Sequence, residues 1–92
     1  MNQEDVKFRF DVLEVSKSDS GYMITVHVQV RWLKEVVYEG PVEISMNDIG
    51  IFPSPAHIAA ATPYKGVRGK LGAELKRYIK IQKKFIPELA EE

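Results

Sequence analysis

Apolar and polar residues alternate most regularly between Tyr22 and Leu33. Tyr22, Ile24, Val26, Val28, Val30 and Trp32 are apolar, while Thr25, His27, Gln29 and Arg31 lie between them. Period two over this length predicts a strand with one face for a core and one for water or a partner. Upstream, Val6, Phe8, Phe10 and Val12 alternate with Lys7, Arg9 and Asp11, and the apolar parity then shifts to Leu13 and Val15. A shift of this kind marks a bulge in a first strand. The polar run Ser16 to Gly21 is a turn by composition, so the two strands form an antiparallel hairpin.

Beyond Leu33, with a turn at Lys34-Glu35, the residues Val36, Tyr38, Val42, Ile44 and Met46 alternate with Glu39, Glu43 and Ser45. A third strand is expected, interrupted at Gly40-Pro41, because proline donates no ladder hydrogen bond and belongs at an edge or a bulge. Lys34-Glu35 is poor chemistry for a two-residue turn, which favours a wider loop. The competing reading is a short helix over 31–39, closed by Gly40. Asn47 to Phe52 reads as a turn followed by a short fourth strand. Ser54 as N-cap and Pro55 as first helical residue predict a short helix over 55–61, and Thr62-Pro63 offers similar cap chemistry again.

The period changes in the last third of the chain. From Lys70 to Ile86, the residues Leu71, Leu75, Tyr78, Ile79, Phe85 and Ile86 share one arc of a helical wheel, and Lys76, Arg77, Lys80, Lys83 and Lys84 take the opposite arc. The expected fold is α+β: a three- or four-stranded antiparallel meander over about 6–52, a short helix, and a long helix over about 70–86 that covers one sheet face. The other face, with Met23, Leu33 and Val37, is then open to self-association.

At 92 residues the chain is one domain, small enough for oligomerisation to be a useful source of stability. The absence of cysteine excludes disulfides, thiolate catalysis and cysteine-based zinc sites, and fits a reducing cytoplasm. The acidic start of the chain has no apolar segment of a signal peptide, and no run is long enough to insert into a membrane. Net charge is zero, but it is segregated along the chain. Residues 65–84 hold eight basic side chains against Glu74 alone, between two acidic flanks. Such a segment faces either an acidic partner or an acidic surface of its own oligomer.

Two stretches invite a chemical reading. Gly66, Gly69 and Gly72, with Lys65, Arg68 and Lys70, suggest a glycine loop whose amides cradle phosphate at a helix N-terminus. The same spacing also suits an irregular helix entry packed closely on a neighbour. Together with Lys76, Arg77, Lys80, Lys83 and Lys84, this set defines a nucleic-acid-binding reading, against a plain solvated helix face. His27 and His57 show no metal-ligand or triad spacing, although Glu43 or Asp48 could partner one of them. No nucleophile motif or carboxylate cluster points to an enzyme, and no cofactor or metal is expected.

In its order of features the chain resembles the SecB-type export chaperones, from about Phe8 to Leu89. Phe10-Asp11, the polar turn and Tyr22 leading into Val26 to Val30 are similar to that family's first hairpin. Val42-Glu43-Ile44 with Gly50-Ile51-Phe52 is similar to its strand ending in glycine, an aliphatic residue and phenylalanine. Ala56-His57 with Thr62-Pro63, and Ala73-Glu74-Leu75 with the Phe85 to Leu89 exit, match its helical part. The resemblance implies a non-enzymatic homo-oligomer, a dimer or tetramer, whose apolar grooves hold unfolded or extended polypeptide. Trp32, Tyr38, Phe52, Tyr64 and Phe85 are the candidates for lining such a groove, or alternatively members of the domain's own core.

Overall fold

The computed structural model describes residues 5–62 and 64–85. Four strands, β1 (Val6–Ser18), β2 (Gly21–Trp32), β3 (Glu35–Asn47) and β4 (Ile51–Pro53), form one antiparallel sheet in chain order. Two helices follow, α1 (Pro55–Ala61) and α2 (Lys65–Gln82), and both pack on the sheet. The α+β meander expected from the alternation is the observed architecture.

The core follows the apolar parity closely. Ile24, Val26, Val28 and Val30 of β2 are fully buried, as are Val42 and Ile44 of β3, and they meet Val67, Leu71, Leu75 and Ile79 of α2. A four-residue spacing keeps those helix positions on one stripe, which is what allows a single helix to cover the sheet. Burying these side chains contributes about 1.5–3 kcal/mol each, the dominant favourable term in so small a domain.

Two register shifts shape the sheet. Between β1 and β2 the pairing slips between Val12 and Glu14, leaving Leu13 without an opposite residue and 62% exposed, which is the bulge read from the parity change. A second slip falls between Val30 and Arg31, where Tyr38 faces Val30 and Val36 faces Arg31. Val37 is the extra residue, so Val36 rather than Val37 takes a place in the outer face. Alternation alone does not reveal this bulge.

The β2–β3 connection corrects the expected turn. It consists of Leu33 and Lys34, with Glu35 already in β3, and no helix forms over 31–39. Leu33 adopts φ 57°, the left-handed region, and its N–H donates to the Asp5 carbonyl at 3.1 Å. A two-residue turn with positive φ first is the kind that suits strand twist, and it normally carries glycine there. The apolar Leu33 obscured that geometry.

β3 runs unbroken through Gly40 and Pro41. Ser54 N–H bonds the Glu43 carbonyl and Asn47 N–H bonds the Gly50 carbonyl, so the odd-numbered residues of β3 turn toward β4. Pro41 shares that parity, but β4 reaches only as far as Ile44. Its missing N–H therefore costs the ladder nothing, and β3 is locally an edge there, where proline is tolerated.

The helix starts are split between expectation and correction. Ser54 caps α1 as expected: its Oγ accepts from His57 N–H at 3.4 Å and Pro55 opens the helix. The long helix begins at Lys65, five residues before the expected start, and its N-cap is Tyr64, which makes no side-chain cap bond. Thr62 instead closes α1, and its Oγ1 accepts from Tyr64 N–H at 3.3 Å. Pro63 lies outside the described residues, as do Ile86 to Leu89 of the expected helix end and exit.

Candidate functional site

The two edges of the sheet differ in how they are closed. Leu33 bonds Asp5, which fixes the odd-numbered residues of β1 toward β2 and turns the backbone groups of Val6, Phe8, Phe10 and Val12 outward. Helix α2 seals both ends of that row. Lys70 Nζ donates to the Val6 carbonyl at 2.8 Å, and the Val12 backbone hydrogen-bonds the Tyr78 hydroxyl oxygen. Between them, the Lys70 ammonium lies 5.7 Å from the centre of the Phe8 ring. Phe8 and Phe10 stack at 6.1 Å, and Phe10 meets Tyr78 at 5.3 Å. Burial and the nearby Asp11 carboxylate push the Tyr78 hydroxyl above its ordinary pKa of 10.0, against the opposing hydrogen bond from Val12.

Among the described residues nothing covers the β4 edge. Met46 to Phe52, with Lys76 and Lys80 of α2 and Lys83 at its C-cap, line a groove of about 660 Å³. A second groove of about 480 Å³ runs past Met23, Ser45, Phe52, Pro53 and Pro55, and Lys76 lines it too. Phe52 stands at the junction of the two and is 46% exposed, while Ile49 at the hairpin tip is 86% exposed. The hairpin itself is ordered by Asn47, whose Oδ1 accepts from the N–H groups of Ile49 at 2.8 Å and Gly50 at 3.2 Å.

The five aromatic candidates do not converge on one groove. Trp32 and Tyr38 pack against the core, and Trp32 also borders a separate hollow with Leu33, Lys34 and Glu35. Tyr64 and Phe85 are exposed, but they lie at opposite ends of α2, about 27 Å apart by helix length. Only Phe52 lies in a groove beside β4. Sequence reasoning placed the turn at Asn47 and a short strand after it, but did not single out Met46, Ile49 and Ile51 as groove residues.

The glycine stretch is not the loop its composition suggested: Gly66, Gly69 and Gly72 all lie within α2. A Cβ at Gly72 would meet Ile58 Cδ1 at 3.8 Å, an ordinary van der Waals contact, and one at Gly69 would face open space, so neither position requires glycine for room. The basic residues divide. Arg68 Nε donates to the Thr62 carbonyl at 2.7 Å and Lys70 holds β1, so both serve the fold. Lys65, Lys76, Arg77, Lys80, Lys83 and Lys84 are exposed.

Both histidines lie beside glutamates. His57 Nδ1 accepts from Glu43 N–H at 3.0 Å, with Nε2 3.9 Å from the Glu43 carboxylate. His27 Nε2 is 3.5 Å from Glu39, which also accepts from Gln29 at 3.1 Å on the outer sheet face. Among the described residues no group of three His, Cys, Asp or Glu side chains is arranged to hold a metal, and no helix is long and apolar enough to cross a membrane. No protein-family model, curated protein or solved structure matches the chain.

Proposed function

We propose that this is a cytoplasmic, non-enzymatic, homo-oligomeric protein of the SecB-like kind, which binds unfolded or extended polypeptide along the β4 edge. The observation that carries the reading is Phe52, an aromatic side chain left half exposed where two grooves meet on an edge strand. An extended chain needs such a surface: apolar purchase for alternate side chains and no catalytic group. Self-association draws on separate surfaces. Leu33 and Val37 are 63% and 45% exposed near the β2–β3 turn, and Val36, opposite Arg31, lies on the sheet face that no described helix covers.

Light scattering and an aggregation assay test the proposal together. A stable dimer or tetramer should slow the aggregation of a chemically unfolded substrate protein, and Phe52→Ser should lose most of that effect while keeping its assembly. A monomer without effect on aggregation would refute it. The competing nucleic-acid reading rests on the exposed cations of α2; it would prevail if single-stranded DNA or RNA bound with steep salt dependence and polypeptide did not.

A further inference from the structure

We infer that the larger groove beside β4 selects acidic segments of extended polypeptide, with carboxylates at alternate positions facing α2 and apolar side chains between them facing Phe52. This rests on the polypeptide-binding reading and names the client chemistry. The groove has one basic wall: Lys76, Lys80 and Lys83 line it, with Asp48 its only acidic lining residue among those described. A net positive groove in a chain whose total charge is zero is a local device rather than a property of the whole surface.

Spacing sets the pattern of the ligand. The lysines follow one another by four and three residues, so they rise along α2 by about 6 and 4.5 Å. Same-side positions of an extended chain recur about every 6.7 Å. Two carboxylates separated by one residue therefore match Lys76 and Lys80, and a third falls within reach of the flexible Lys83. The intervening side chains point the other way, toward Phe52, which pairs with Ser45 and so lies on the sheet face opposite Met46 and Ile51. Main-chain pairing adds little. The Asn47–Gly50 and Glu43–Ser54 bonds turn the Ile51 N–H and carbonyl away from β3, but Pro53, next in that parity, has no N–H to give. Recognition is thus carried by side chains, which makes it selective for charge.

Fluorescence anisotropy with three labelled peptides decides the matter: leucine alternating with glutamate, with serine, or with lysine. The glutamate peptide should bind roughly tenfold more tightly than the serine peptide, a margin that shrinks with added salt, and the lysine peptide should bind least. In the triple variant Lys76→Glu, Lys80→Glu, Lys83→Glu the order should reverse in favour of the lysine peptide; a reversal also shows that the variant is folded. Equal binding of all three peptides would overturn the charge preference and leave the polypeptide-binding reading intact. Failure of every peptide, or binding of nucleic acid alone, would overturn both. The sequence also holds an acidic stretch at Glu88, Glu91 and Glu92, so the titrations are repeated on a chain ending at Phe85. Binding seen only after that truncation would mean that the chain's own acids compete for the groove, and would overturn the assignment to an external client.

Discussion

The two edges of this sheet face the same problem and solve it by opposite means. β1 is thirteen residues long and would offer a long row of outward N–H and C=O groups to any other strand. Lys70 and Tyr78 of α2 occupy that row at Val6 and Val12, and Phe8 and Phe10 stack between them. β4 is three residues long and ends in Pro53, so it carries little pairing capacity to begin with, and no described residue seals it. Its surroundings are left as grooves with an exposed aromatic and a row of lysines. An edge without backbone appetite can present apolar side chains to water at lower risk of strand-to-strand aggregation. A long edge cannot, and here the helix caps its first half, from Val6 to Val12.

The largest effect should come from loosening the helix that makes the difference. Leu75 is fully buried in the middle of the α2 stripe. Leu75→Ala should destabilise the fold by about 2–5 kcal/mol through lost burial and the remaining cavity. If the β1 edge depends on α2, hydrogen exchange at Val12, whose backbone Tyr78 holds, should accelerate more than exchange at the Asn47 to Gly50 hairpin. Equal acceleration at both would mean that the edges share one closure.

Next in size is the seal itself. Lys70→Met keeps much of the aliphatic stem but leaves the Val6 carbonyl without its charged donor, and should cost about 1.5–3 kcal/mol in urea unfolding. Tyr78→Phe removes only the hydroxyl, at about 1 kcal/mol. Tyr78 also fixes an alkaline limit. Its pKa is raised in the folded state, so its contribution is fully present below pH 10.0, the ordinary value, and is lost as pH climbs through the raised folded value. Chemical denaturation across that window should show the wild type losing stability more steeply than Tyr78→Phe. Parallel curves would remove Tyr78 from the account.

How much of this contrast was visible beforehand follows from the range of the interactions involved. Alternation in β1, β2 and β3 marked the buried parity, because a half-buried strand imposes period two on its own sequence. Ser54 and Pro55 announced α1 through chemistry confined to adjacent residues. The bonds from Lys70 to Val6 and from Tyr78 to Val12 span more than sixty residues, and in the sequence these side chains read as one more basic residue and one more apolar residue of an amphipathic helix. The Val37 bulge was equally hidden, since Val36 and Val37 are both valine and either parity looked apolar. The glycines left a phosphate loop and a helix entry both open for a related reason: their helical state follows from Val67 and Leu71, which anchor the turns around them in the core.

A smaller effect, of opposite sign, is expected at the turn between β2 and β3. Leu33 has φ 57° and is 63% exposed, so it holds an unfavourable backbone conformation without much burial in return. Leu33→Gly should raise stability by about 1 kcal/mol, the scale of the left-handed penalty for a residue with a Cβ. A loss of stability in the monomer would mean that Leu33 packs more tightly than its exposure suggests. If stability rises but the oligomer weakens, Leu33 belongs to the surface shared between copies, and its strain is retained for assembly.

The smallest change in stability separates the open edge most sharply from the sealed one. Phe52 pairs with Ser45 at the sheet margin and remains half in water, so Phe52→Ser forfeits only part of its burial and should lower the unfolding free energy by about 1 kcal/mol at most. Its effect on polypeptide binding should be large by comparison, because the same side chain borders both grooves. Thermal unfolding and peptide anisotropy measured on one preparation give both quantities. A side chain that mattered for packing would move the melting curve together with the affinity. One that exists to meet a partner should move the affinity alone, and a large drop in stability at Phe52 would return β4 to the domain's own core.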